Sequence, residues 1–298
     1  MKLKAMVKRN IKLFFKDKGM FFTSLITPII LLVLYITFLG NVYTDSFASA
    51  IPEGFSVSDN LISATVAGEL LSSILAVCCV TVAFCSNMLM VQDKVSKTKC
   101  DLTIAPVKNS ILSASYYIAS AISTLIICFM AFFAGLLYVY SAGCYMSLAD
   151  IINIALDIVL LVLFGTGLSS IINIFLSTQG QISAVGTIVS AGYGFICGAY
   201  MPISNFGSGL QKVLSFLPGT YGTSLIRNYA LRGVFEEMSV EGIPAEIIDG
   251  IKKSVDCKLY FFDNEVTLSA MYIYLIITVA VLIMLYIFVN SVHERKHA

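Results

Sequence analysis

The chain has 298 residues, of which 58% are hydrophobic and only 12% charged, with a mean hydropathy of +0.88. Soluble domains carry about 25% charged residues, so the composition excludes an ordinary soluble protein and points to an all-α integral membrane protein. The net charge of +1 names no acidic or nucleic-acid partner, because in a membrane protein the placement of charge carries the information and its sum does not.

Residues 1–19 open the chain with a basic amphipathic segment. Leu3, Val7, Ile11, Phe14 and Phe15 share one helical face and most of the lysines and Arg9 the other, the pattern of a helix lying in a membrane interface. A topology anchor would explain the lysines equally well, and the phased apolar face favours a formed helix. A cleaved signal is disfavoured, because the apolar run that follows is about 20 residues long and no small-x-small site closes it. Asp, Glu, Lys and Arg are absent from 19–44, 70–92, 109–149, 158–211 and 266–293. Each run can cross a bilayer, and the fourth can cross it twice. Turn and charge signals place six transmembrane helices at 20–40, 62–91, 112–140, 149–175, 182–201 and 267–290.

After the fifth of these, Met201-Pro202-Ile203-Ser204 leaves the membrane and two short apolar stretches follow, split by Pro218-Gly219. Each is too short to span and too apolar for a free loop, so 202–232 reads as a re-entrant helical pair with Pro218 and Gly219 at the turn. Residues 233–266 hold eight acids and three lysines and form a small external cap, with a helix start at Pro244.

Lysine placement sets the topology. The first eighteen residues, the 92–111 loop (Lys94, Lys97, Lys99, Lys108) and the tail (Arg295, Lys296) are basic, while the 41–60 loop carries Asp45, Glu53 and Asp59 and no base. The positive-inside rule makes both termini and the 92–111 loop cytoplasmic, in a multi-pass protein of the plasma membrane.

Motifs for chemistry are missing. No Gly-Lys pair occurs, so no phosphate-cradling G-x-x-x-x-G-K loop is present, and neither H-E-x-x-H nor Gly-x-Ser-x-Gly appears. The chain is expected to be no enzyme, with no catalytic residue, no cofactor of its own and no metal; His293 and His297 read as a polar tail. Of the eight cysteines, Cys144 and Cys257 fall in external loops and leave a disulfide open. Glycines such as Gly165, Gly167, Gly194 and Gly198 let helices approach closely, either within one subunit or at a dimer seam.

Met90-Val91-Gln92-Asp93-Lys94, then Lys99-Cys100-Asp101-Leu102, Ala105-Pro106-Val107-Lys108 and Ser115-Tyr116-Tyr117 resemble the cytoplasmic loop of ABC-2 type transporter permeases. The basic N-terminal helix, the six spans and Pro218-Gly219-Thr220-Tyr221 extend the likeness over nearly the whole chain. The resemblance implies a permease of an ABC exporter: a two-subunit pore, homodimeric or heterodimeric, driven by separate ATPase subunits that hold the ATP and magnesium. It makes Asp93, Lys94, Lys97, Lys99, Asp101 and Lys108 the polar contacts to the ATPase, Leu102 and Ile104 apolar pegs, Pro106 the turn, and Tyr221 part of the re-entrant turn.

Glu69 and Asp157 lie inside predicted spans, each on the order of 12 Å from the external end at 1.5 Å per residue, with no base in any span to pair with them. Intramembrane acids face a polar interior, hold a proton or share one. They are candidates for the translocation path of a hydrophobic or amphipathic compound such as a drug, an antimicrobial peptide or a lipid-linked molecule. The alternative is a proton-coupled secondary transporter using Glu69 and Asp157, although no internal repeat accompanies it.

Overall fold

The structure, a computed structural model, describes residues 2–40, 44, 58–104, 107–262 and 264–297. It is nearly all helix. Asp45, Glu53 and Pro106 lie outside the described residues, as do the side chains of Ile104, His293 and His297.

Helix α1 (Lys2–Lys16) buries Asn10 and Phe14, leaves its lysines outward and packs on the long helix α6 (Asn109–Ala142). Asp17 accepts from the Met20 amide at 3.1 Å, starting α2 (Lys18–Leu34) with a side-chain cap, and the chain bends by 71° there. A π turn, Tyr35–Leu39, continues α2. The centre of the bundle is α3 (Asp59–Asn87), which runs with one break at Met88 into α4 (Leu89–Val95); 89% of its apolar window is buried, against 17% for the last helix. Helix α5 (Thr98–Ile104) folds beside α4.

Capping boxes start the next two helices. Ser147 and Asp150 begin α7 (Leu148–Phe175), and Thr178 and Gln181 begin α8 (Gln179–Ile196). Gly165 lies on the α3 backbone: a Cβ there would meet the Cys79 carbonyl oxygen and the Val80 Cα, each at 2.9 Å. That glycine therefore serves packing within one subunit.

Among the described residues, four helices are long and apolar enough to cross a membrane: the α3–α4 unit, α6, α7 and α12 (Leu268–His297), or five if the bent pair α1–α2 is one span. The expected fifth span is α8, whose 18 residues reach about 27 Å, slightly less than the ~30 Å hydrocarbon core. Gln179 and Gln181 dilute its first turn.

The re-entrant pair differs from expectation. Its first member, α9 (Ser208–Leu214), is short, but its second, α10 (Pro218–Val240), is 23 residues long and enters the bundle against α3, α7 and α12. Pro218 occupies the first turn of α10, where a missing N–H does no harm. No proline follows until Pro244, so the helix runs past Glu236 and Glu237 to Val240, eight residues beyond the expected end at 232, and Gly242 at φ +85° turns the chain away. The cap is α11 (Ala245–Ser254) and a hairpin of β1 (Tyr260–Phe261) and β2 (Asn264–Glu265), with Tyr260 opposite Glu265. Cys144 and Cys257 are free, the first exposed and the second buried, so no disulfide joins them.

Candidate functional site

Two buried ion-pair knots, one at each end of the bundle, frame an apolar trough. At the end that carries α1, Asp93 is fully used inside the protein. Arg9 donates to both its oxygens, Nη1 to Oδ2 at 2.8 Å and Nη2 to Oδ1 at 3.2 Å, and the Tyr116 hydroxyl donates to Oδ2 at 2.5 Å. Beside them Asn10 donates to Ser115 at 3.2 Å. One residue on, the Lys94 ammonium donates to the carbonyls of Asn173, Ile174 and Leu176 at 2.8–3.1 Å. It thus satisfies the last turn of α7, where a cation is also favoured by the helix dipole.

The expected row of ATPase contacts is therefore divided. Asp93 and Lys94 hold α1, α4, α6 and α7 together, because burial demands partners for them. Leu102 is half-buried against the core. Lys97, Asp101 and Lys108 are exposed and Lys99 is half-buried, which leaves these four as the polar surface of the loop. Lys97 adopts φ +61°, turning the chain from α4 into α5.

At the opposite end the hub is Arg227 of α10, with no exposed surface. Its Nη1 donates to the Val255 carbonyl at 2.9 Å, Nη2 to Ser73 Oγ and to the Gly198 carbonyl, each at 3.1 Å, and Nε to Ser72 Oγ at 3.3 Å. Glu69 Oε1 stands 3.5 Å from Nε, and Asp256 Oδ2 stands 3.6 Å from Nη1. Asp256 also accepts from the Ile203 and Ser204 amides at 2.6 and 3.3 Å. Burial pushes its carboxyl up from the ordinary value, and Arg227 and these two N–H groups draw it back. Gly198 adopts φ +75°, a conformation suited to glycine that turns its carbonyl toward the guanidinium. One arginine thus joins α3, α10, the loop after α8 and the cap.

This corrects the expectation that Glu69 has no base to pair with. Arg227 reads as part of an external stretch, yet it is the lone charge in 213–231 and lies among small and apolar residues at helical spacing. A base inside such a run, opposite an unpaired intramembrane acid, was the available signal.

The trough, of about 1250 Å³, has α2 and α8 as walls and α3 as floor. It extends from Asp17 and Gln179 at the basic end to Ile251 and Val255 of the cap. Ile26, Ile30 and Phe195 on its walls are half-exposed. Glu69 is the carboxylate on the trough floor, and its buried Oε1, ion-paired with Arg227 at 3.5 Å, accepts no hydrogen bond.

Asp157 lies elsewhere. It is fully buried in α7 beside the Tyr272 hydroxyl of α12, away from the trough lining. The two acids that look alike in sequence thus occupy different surroundings. Tyr221 is buried and donates to the Ser215 carbonyl at 2.5 Å, closing the α9–α10 turn.

A family model described as ABC-2 type transporter matches residues 1–231. The chain belongs to that family. No curated protein and no solved structure matches it. The ABC-2 chain is accordingly the membrane permease component of an ABC transporter, a multi-pass membrane protein and not itself the ATPase; such permeases generally work with ATPase subunits and a second permease. The family match ends within α10, so the cap and α12 of this permease lie beyond it.

Proposed function

We propose that this permease is half of an ATP-driven exporter that moves a hydrophobic or amphipathic compound outward along the trough between α2 and α8. The supporting observation is the trough itself: a long apolar channel running the height of the bundle with one carboxylate, Glu69, in its floor. Two copies, or this chain and a similar one, close their troughs on each other. In this reading the chain crosses the plasma membrane six times, with α8 as the fifth crossing and both termini in the cytoplasm. It binds no cofactor, and ATP and magnesium belong to ATPase subunits docked on Lys97, Lys99, Asp101 and Lys108. Glu69 favours guests with a hydrogen-bond donor or a cationic group at one end.

Replacing Glu69 with glutamine removes the charge and keeps the shape. Hydrogen bonds to charged groups contribute about 1.5–3 kcal/mol, so efflux of an amphipathic cation is expected to fall on the order of tenfold. Asp157→Asn at equal expression is expected to leave efflux near the wild-type level. Efflux unchanged by Glu69→Gln, with an intact bundle, would refute the role given to the trough.

A further inference from the structure

The cap ends in an exposed aromatic cluster that the transport reading does not use. Phe216, at the end of α9, meets Phe261 and Phe262 of the hairpin edge-on, with ring centroids 5.1 and 6.2 Å away, and the two hairpin rings are 5.0 Å apart. All three rings are a third to a half exposed, and Leu210 and Val213 continue the apolar strip along α9. Two lysines border it: Lys212 holds its ammonium 5.6 Å from the Phe262 ring, and Lys253 lies 5.8 Å from that of Tyr260.

Phe262 adopts φ +54°, a region uncommon for any side chain and an outlier for a bulky one. Glycine or asparagine would serve this turn better. Strain of this kind at an exposed tip points to something the ring contacts.

The height of the cluster indicates what that is. The Tyr274 hydroxyl donates to the Phe216 carbonyl at 2.7 Å. Tyr274 lies six residues into the apolar helix α12, about 9 Å along its axis. The aromatic cluster is thus level with the first turns of a membrane-crossing helix and not above it. Aromatic rings with lysines beside them are the side chains that settle at the boundary between lipid headgroups and acyl chains.

We propose that Phe216, Phe261 and Phe262, with Lys212 and Lys253, form a lipid-binding foot that seats the cap on the headgroup–acyl boundary of the bilayer. The lysines face lipid phosphates and the rings enter the upper acyl region. Phe261 follows Asp256 by five residues, and Asp256 holds Arg227 while Val255 lines the trough. Seating the foot therefore fixes the height of the cap over the trough. The proposal holds whatever compound is exported.

The chain contains no tryptophan, so Phe262→Trp gives a protein with a single reporter. In lipid nanodiscs its emission is expected to be blue-shifted and to be lost more strongly to lipids brominated near the headgroup than to lipids brominated at mid-chain. Ile277→Trp, on the exposed middle of α12, should show the reverse order. Red-shifted emission insensitive to brominated lipid would overturn the proposal by placing the foot in water. Blue-shifted emission equally insensitive would overturn it by assigning the cluster to a protein contact. Phe261→Trp gives the same readout should the strained position not accept tryptophan.

Discussion

Arg227→Ala is expected to be the most damaging single substitution in the chain, giving little monodisperse protein on size exclusion after detergent extraction. The change strands Glu69 and Asp256, two buried carboxylates that share this one guanidinium, and leaves the carbonyls of Val255 and Gly198 without their donor. Removing one partner of a buried ion pair costs about 3–5 kcal/mol, and here two acids lose the same partner. Arg227→Lys is expected to recover only part of the loss, because an ammonium is a compact point charge and cannot span four acceptors and two carboxylates with a planar fork. Adding Glu69→Gln and Asp256→Asn to the alanine variant is expected to restore folded protein, since no unpaired charge then remains. A failure of that rescue would mean that the hydrogen bonds of Arg227, and not its charge, hold the cap to the bundle.

Asp93→Ala is expected to act locally and to abolish transport in a protein that still folds. Arg9 is partly exposed, so its guanidinium turns to water when its partner is removed, whereas the α1–α4–α6 junction loses three hydrogen bonds. At about 2 kcal/mol for the charged contacts, the opening equilibrium of α1 should rise roughly thirtyfold. Hydrogen exchange of the α1 amides measures this directly. Exchange confined to wild-type rates in α1, with transport lost all the same, would show that Asp93 serves something other than holding this helix.

The helical membrane character was legible from charge-free runs alone, because a bilayer core imposes length and apolarity on whatever crosses it. The amphipathic α1 was legible from the phase of Leu3, Val7, Ile11 and Phe14. The reach of α10 was not: Glu236 and Glu237 make residues 233–240 look like loop, yet acids on the solvent side are ordinary in a helix whose other face is buried, as Phe235 and Met238 are. The site was half legible. Glu69 stood out as an acid in an apolar run, but its partner lies 158 residues away on a segment that length rules assign to the outside. Pairing between distant segments leaves no periodicity to read. The same reason hides the partners of Asp93 and Lys94: their charges suggest a solvated loop, while tertiary contacts with Arg9, Tyr116 and the end of α7 bury them.

The two knots share one structural support. The Asp93–Arg9 knot and the Arg227–Glu69 pair are joined by the single central rod of α3 and α4.

We propose that this permease draws its energy from a separate ATPase bound to the exposed part of the α4–α6 loop. Purifying the tagged chain in mild detergent, with and without Lys97→Glu, Asp101→Lys and Lys108→Glu together, tests it most directly. These three side chains are exposed and hold no internal partner among those described above, so the bundle should be unaffected. The expected result is a stoichiometric ATPase bound to the unmodified chain and lost from the triple variant. Recovery of the chain alone from cells that show export, with flux into vesicles driven by a proton gradient and indifferent to ATP, would contradict it.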